Sequence, residues 1–289
     1  MPRRYRPSLP RVAPLAAAWL LALAACCGAC AAPVEAAAPQ DSAAAAASVP
    51  ARPDCSRPLT LGLHERGLLY TGQTGEGIDK DSADQMSRRS GCHLTLTVLP
   101  RGRIWQLIES GTLDFTLSGI ANPQRHRFAA FAWYMSDKYY LLARRDAGTR
   151  SVAEFRRERT LRVGLIRSVR YGDRANGFVD ALDGEQRTTY ADSLEPLYTI
   201  LLDDGVQAML IEPFDFPVIA GAQLKAQASI LDFGDPPVLH GLVMSRRALS
   251  PAQQGAWREV VNAMRADGTT LRIFEKYRPA DLAKQMTRF

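Results

Sequence analysis

The stretch from Pro100 to Arg125, PRGRIWQLIESGTLDFTLSGIANPQR, constrains the fold of this 289-residue chain more than any other. Ile104, Trp105, Leu107 and Ile108 recur at helical spacing, Gly111 stops the helix, and Leu113, Phe115 and Leu117 alternate as in a strand. Ser118, Gly119, Ala121 and Asn122 then read as a small-residue turn, with Pro123 suited to open a new helix and Arg125 close behind. A helix that delivers a strand, and a strand that ends in such a turn, make a corner that can hold a ligand.

The same alternation runs upstream. Leu59 to Leu63 is a strand, a polar, Gly-rich loop from His64 to Glu76 follows, and Gly77 to Asp81 opens a helix that carries Ala83 and Met86 and ends near Ser90 and Gly91. The next strand is Leu94 to Val98. Strand, helix and parallel strand in this order build a sheet whose ligands bind beyond the carboxyl ends of its strands. His64 begins the loop at such an end and should border a cleft. Cys55 and Cys92 each precede one of these two strands. Parallel neighbours start at the same sheet edge, so the two sulfurs can meet in a structural disulfide if the protein is exported.

The N-terminus points to export. Arg3, Arg4, Arg6 and Arg11 precede an apolar run from Leu15 to Ala25 with small residues after it, the three-part form of a secretory signal over residues 1–26. The run is too short for a convincing membrane span. Leu23-Ala24-Ala25-Cys26 resembles a bacterial lipoprotein box, which would put a lipid on Cys26; cleavage at a later site such as Ala29-Cys30-Ala31 is the alternative. Residues 27–57 are Ala- and Pro-rich and read as a disordered tether, within which the Cys27-Gly28-Ala29-Cys30 spacing has no element to hold a metal or redox site.

Composition narrows the function classes. Apolar residues at 46% and charged residues at 23% are ordinary for a globular protein, and the length suits about two domains. The net charge of +6 falls to about +2 without the four leader arginines, which gives nucleic-acid binding little support. HExxH, paired CxxC, Walker and GxSxG signatures are absent, and His64, His93, His126 and His240 are scattered, so neither a metal nor a cofactor is expected.

The order LTLG, GIDKDSADQM and IWQLIESGTLDFTLSGIANPQR closely resembles the extracytoplasmic solute-binding proteins of the polar amino-acid type, family 3. Near the other end, His240-Gly241-Leu242-Val243-Met244 and the segments Asn262 to Thr269 and Ile273 to Tyr277 look like that family's closing strand and its "LKADGT…IYEKW" helices, so the similarity runs from about Leu59 to Tyr277. The resemblance implies an α/β fold of type 2 periplasmic-binding form: two lobes, each a mixed sheet flanked by helices, joined by a two-strand hinge and closing on a small ligand. Lobe 1 would comprise residues 58–143 and 236–289, and lobe 2 residues 144–235.

Family positions carry over one at a time. Ser118, Gly119 and the Asn122-Pro123-Gln124-Arg125 segment stand where relatives have the turn and the "TPER" arginine that clamps a ligand carboxylate, with the turn one residue shorter. A guanidinium offers a planar fork of donors that matches a carboxylate; an exposed arginine in a first helical turn is the plain alternative. Ser168, Val169 and Arg170, followed by Tyr171, replace a Gly-Thr-Thr anion-binding turn at a helix N-terminus. Glu212 ends a buried strand where amino-acid binders carry the aspartate that meets the ligand ammonium, or else it is a strand-end salt-bridge partner. Where relatives show "FSDPYY", Trp133 to Ser136 stand here; Trp133 and Tyr134 read as packing or hinge residues.

The resemblance therefore implies a monomeric periplasmic receptor that hands a small carboxylate-bearing solute, amino-acid-like, to the inner-membrane permease of an ABC importer, with no catalysis. Two alternatives share the fold: a ligand sensor for a membrane partner, and a dehydratase-like enzyme with Glu212 as general acid.

Overall fold

The computed structural model describes residues 52–215 and 222–289. The signal segment, its lipidation at Cys26 and the tether up to residue 51 lie outside the described residues. The last part of the expected tether is instead bound to the body of the protein. The Asp54 backbone N–H donates to Gln253 (2.6 Å), Arg57 pairs with buried Asp114 (2.5 Å), and Cys55 is in a disulfide.

Alternation makes the strands. Leu59, Leu61 and Leu63 of β1 (Leu59–Leu63) pack into one core, while Gly62 on the opposite face gives way to Leu113 and Ile104. β2 (Leu94–Val98) and β3 (Phe115–Ile120) pair with β1 in parallel, and β4 (Ala129–Asp137) completes the first lobe's early strands. β5 (Tyr140–Arg144), β6 (Val163–Ile166), β7 (Thr188–Ala191), β8 (Ala208–Ile211) and β9 (Ala228–Asp232) form a second sheet. β10 (Val238–Ser245) returns between β3 and β4, giving the orders β2-β1-β3-β10-β4 and β7-β6-β8-β5-β9, each mixed.

The helices cover both sheets on both faces. In the first lobe α1 (Ile78–Ser90) lies over one core and α2 (Arg101–Ser110) over the other; α3 (Pro123–His126) is a single turn after β3. α4 (Val152–Arg157) and α5 (Asp173–Gly184) pack on one face of the second sheet, α6 (Leu194–Leu202) and α7 (Ala222–Gln227) on the other. The chain ends in α8 (Pro251–Ala266), α9 (Thr269–Tyr277) and α10 (Ala280–Thr287), which join α1 over the first sheet. Trp257 of α8, fully buried, meets Phe115 edge-on with ring centroids 4.9 Å apart; emptying such a site costs about 3–5 kcal/mol. Among the described residues no helix is long and apolar enough to cross a membrane.

Two connections link the sheets, at Lys138–Tyr139 and at residues 233–237, with Lys138 Nζ on Asp232 (2.9 Å) beside them. Tyr140–Arg144, placed with the first lobe on sequence, pairs with β8 and β9 and so belongs to the second. The turn expected at Ser118 and Gly119 is also corrected: β3 continues to Ile120 because β10 pairs with it that far, and a register shift in β10 between Gly241 and Val243 lies opposite Ser118, whose φ is 52°.

The Cys55–Cys92 disulfide forms as the parallel pairing of β1 and β2 requires, with Cα atoms 4.8 Å apart across 37 residues of sequence. Closing that loop contributes about 4 kcal/mol in the chain-entropy model. Cys92→Ser is expected to lower unfolding free energy by about 2–4 kcal/mol in urea denaturation. An unchanged midpoint in the variant and in reductant would refute this assignment of stability.

Candidate functional site

The carboxyl ends of β1 and β3 and the ends of β6 and β8 face one another across a small, partly open cavity of about 20 Å3. That volume holds about one water. An amino-acid-sized molecule fits in that volume only if its lining moves apart, although a wider groove of about 1030 Å3 adjoins it at Arg125 and Arg170.

Arg125 is delivered by the local sequence. Asn122 caps the single turn by accepting from the Arg125 backbone N–H (2.7 Å), Pro123 sits at its first position, and the side chain turns inward. Its Nη1 donates to the Ile120 carbonyl (2.8 Å) and its Nη2 crosses to the Ser168 carbonyl of the second lobe (2.9 Å). The guanidinium lies 3.8 Å from the Trp105 ring centroid, and Arg101 approaches the same ring at 5.1 Å. Among the described residues neither arginine has a carboxylate within salt-bridge distance: Arg101 donates to Thr116 Oγ1 and to the carbonyls of Leu117 and Ser118. Burial, reinforced by the like charge of Arg101, pushes the Arg125 pKa down to about 9, so it is still a cation at neutral pH.

The acids sit on the other side. Arg66, from the loop after β1, is itself buried; its Nε donates to Glu212 Oε1, and its Nη2 lies 3.5 Å from Asp215 Oδ2. Asp215 also accepts from the Glu212 backbone N–H (2.9 Å). Burial works against the Arg66 cation, but the charges of Glu212 and Asp215 outweigh it and raise its pKa. Between these acids Phe214 enters the first lobe's core and meets Phe274 edge-on (6.3 Å), so this segment of the second lobe is anchored in the first. Gly67, at φ 46°, permits the approach: a Cβ there would lie 2.7 Å from the Phe214 carbonyl oxygen.

Of the residues expected at the site, Arg125, Ser118, Arg170, Glu212 and His64 line the cavity. Ser118 holds its unusual backbone through the site's own network, donating from Oγ to Asp79 (2.6 Å) and from N to the Tyr134 hydroxyl (2.8 Å). Tyr134, expected to pack, is thus a polar support as well. Ser168, also at positive φ (62°), contributes its carbonyl to Arg125. Gly119 does not line the cavity; the space a side chain would need is taken by Val243 Cγ2. Tyr171 stacks edge-on against Tyr139 (4.9 Å) behind the cavity wall. Arg170 is half turned to solvent, 3.2 Å from Asp180.

The expected anion-binding helix N-terminus is corrected. The α5 N–H groups of Arg174 and Ala175 donate to the buried Asp235 carboxylate (2.8 and 2.9 Å), which fills the space beside Gly172. That helix end is therefore not open to an outside anion. Reasoning from sequence also missed Arg66, Arg101, Asp79, Tyr139 and His240. Arg66 lay in the loop already marked as cleft-facing; Asp79 and Arg101 opened helices and gave no other signal. Among the described residues no cluster of three or more His, Cys, Asp or Glu side chains could hold a metal.

Several of these groups are tuned by burial. Asp79 is pushed up to about 7 by burial, against the hydrogen bond from Ser118, and His240 down to about 4 by burial, against the Glu212 charge. His64 lies well below its ordinary value because it is buried and faces Arg101 and Arg66. Asp79 thus binds a proton in the folded state between its unfolded value of 3.8 and about 7, and the stability it contributes is lost as pH rises through 7. The histidines oppose this, but equally in an Asp79 variant. Asp79→Asn is expected to gain stability relative to the unsubstituted protein between pH 5 and pH 8 in urea denaturation; a pH-independent difference would contradict the assignment.

The sequence and the fold have known counterparts. The sequence matches the bacterial extracellular solute-binding proteins, family 3, over residues 68–280. No curated protein matches it by sequence. Solved structures superpose over most of both chains: an ancestral arginine-binding protein bound to arginine (14% identity, 78% of this chain and 99% of that one, TM-score 0.65). A histidine kinase sensor domain with similarity to periplasmic binding proteins matches at 14% identity over 77% and 96%, TM-score 0.64. The ancestral amino-acid-binding protein AncCDT-1, a precursor of cyclohexadienyl dehydratase, matches at 15% over 76% and 95%, TM-score 0.61. With its two mixed sheets, its double crossing and the family match over most of its length, the chain belongs to the bacterial extracellular solute-binding proteins of family 3 and has the type 2 periplasmic-binding fold.

Proposed function

We propose that the protein is a periplasmic receptor that captures a small carboxylate-bearing solute between its lobes and hands it to the inner-membrane permease of an ABC importer. One observation carries the reading: among the described residues, the guanidinium of Arg125, a buried cation facing the cavity, is bonded only to carbonyl oxygens and packed on an aromatic ring. A ligand carboxylate would replace the Ser168 carbonyl with a charge-assisted, two-pronged contact and relieve the repulsion between Arg125 and Arg101. The two connections at Lys138–Tyr139 and at residues 233–237 supply the hinge for opening, and closure over the ligand would restore the pairing of Arg66 with Glu212 and Asp215.

The enzyme alternative finds no support in the geometry, since the carboxylate cast as its acid is engaged by Arg66. The sensor alternative differs only in the membrane partner. Recovery of permease subunits with the liganded protein from solubilised inner membranes is the outcome expected of a receptor; a sensor kinase in their place would overturn that part of the proposal.

Calorimetry over a panel of amino acids and organic acids tests the binding reading. At least one carboxylate should bind, and Arg125→Ala should weaken it by roughly 100-fold or more, the range for losing one partner of a buried charged contact. Binding that survives the substitution unchanged, or no binding by any carboxylate, would refute it.

A further inference from the structure

The cavity is asymmetric in what it lacks. Arg101 and Arg125 converge on Trp105 with no carboxylate partner among the described residues, whereas Glu212 and Asp215 already have a cation, Arg66, supplied by the chain itself. All five charged side chains are buried. An amino acid brings two charges, a carboxylate and an ammonium, and a site for it must offer a matching partner for each. Here the anionic partner is wanted and the cationic one is already present. Bringing a second cation to Glu212 would set the ligand ammonium against Arg66, a like-charge contact among buried side chains.

What remains at Glu212 is one acceptor. Its Oε2 is buried and makes no hydrogen bond among the described residues, although the Tyr139 hydroxyl faces the Glu212 side chain, and Glu212 is the cavity-lining acid. A neutral donor such as a hydroxyl satisfies that oxygen without adding charge. We propose that Arg66 stands in the place a ligand ammonium would take, so that this cleft selects small carboxylates whose remaining donor is neutral, 2-hydroxy acids being the simplest class, over the corresponding α-amino acids. The inference rests on the receptor reading of Arg125 and sharpens its substrate class.

Matched pairs that differ only in hydroxyl against ammonium give the test: L-malate and L-aspartate, L-2-hydroxyglutarate and L-glutamate, L-lactate and L-alanine, L-3-phenyllactate and L-phenylalanine. Calorimetry on the intact mature protein should find one hydroxy acid bound at least tenfold more tightly than its amino partner. An amino acid that binds more tightly than its hydroxy partner overturns the inference and leaves the receptor reading standing. Failure of every member of every pair overturns the receptor reading itself. Arg66→Gln should reverse the preference by freeing Glu212 and Asp215 for an ammonium, while Arg66→Lys, which keeps the cation, should retain it. A reversal in both, or in neither, refutes the role given to Arg66; should Arg66→Gln not fold, the pairs on the unsubstituted protein decide.

Discussion

The pairing of Arg66 with Glu212 and Asp215 is the contact on which the arrangement of the cleft depends. It joins the loop after the first strand to the segment after β8, and it does so out of water. Each of these charges is costly to bury alone, and removing one partner of such a group typically costs about 3–5 kcal/mol because the others are stranded. The contact therefore specifies a geometry more than it adds net stability. Phe214, held in the first lobe's core between the two acids, keeps that segment in register with Arg66, and the arginine in turn fixes what charge the cavity can accept.

On the facing side the constraint is the reverse. Among the described residues Arg125 and Arg101 are buried without a carboxylate partner and repel each other across Trp105, a state that proteins tolerate where a ligand completes the site. Two serines in left-handed backbone conformations, Ser118 on the cavity wall and Ser168 in the groove beside it, are each held by their surroundings: one by Asp79 and Tyr134, the other by the Arg125 guanidinium. At Ser118 and Ser168 this strain lies beside the unmatched charges, where the two sheets present their strand ends.

Much of the architecture was legible in the sequence because it is written in local pattern. The alternation at Leu59, Leu61 and Leu63, the glycines at 91 and 111 that end α1 and α2 with positive φ, and Pro123 after Asn122 each act through their own neighbours. The disulfide followed from parallel register. The site was only half legible. Arg125 and Glu212 were found through family position, but the partner of each depends on residues far away in sequence: Arg66 lies 146 residues from Glu212, and the Ser168 carbonyl 43 from Arg125. The α5 N-terminus looked open because nothing near it reveals that Asp235, some 60 residues on, occupies its N–H groups. Gly119 looked like a contact residue and is a packing gap for Val243, a fact that only the pairing with β10 creates.

This chain thus holds its fold on ordinary patterning and the arrangement of its cavity on a few long-range charged contacts. The most direct measurement is a crystal structure with a bound carboxylate. The account predicts the carboxylate on Arg125, in place of the Ser168 carbonyl, with Arg66 still on Glu212 and Asp215. A ligand ammonium seated on Glu212 with Arg66 displaced, or a carboxylate held away from Arg125, would contradict it.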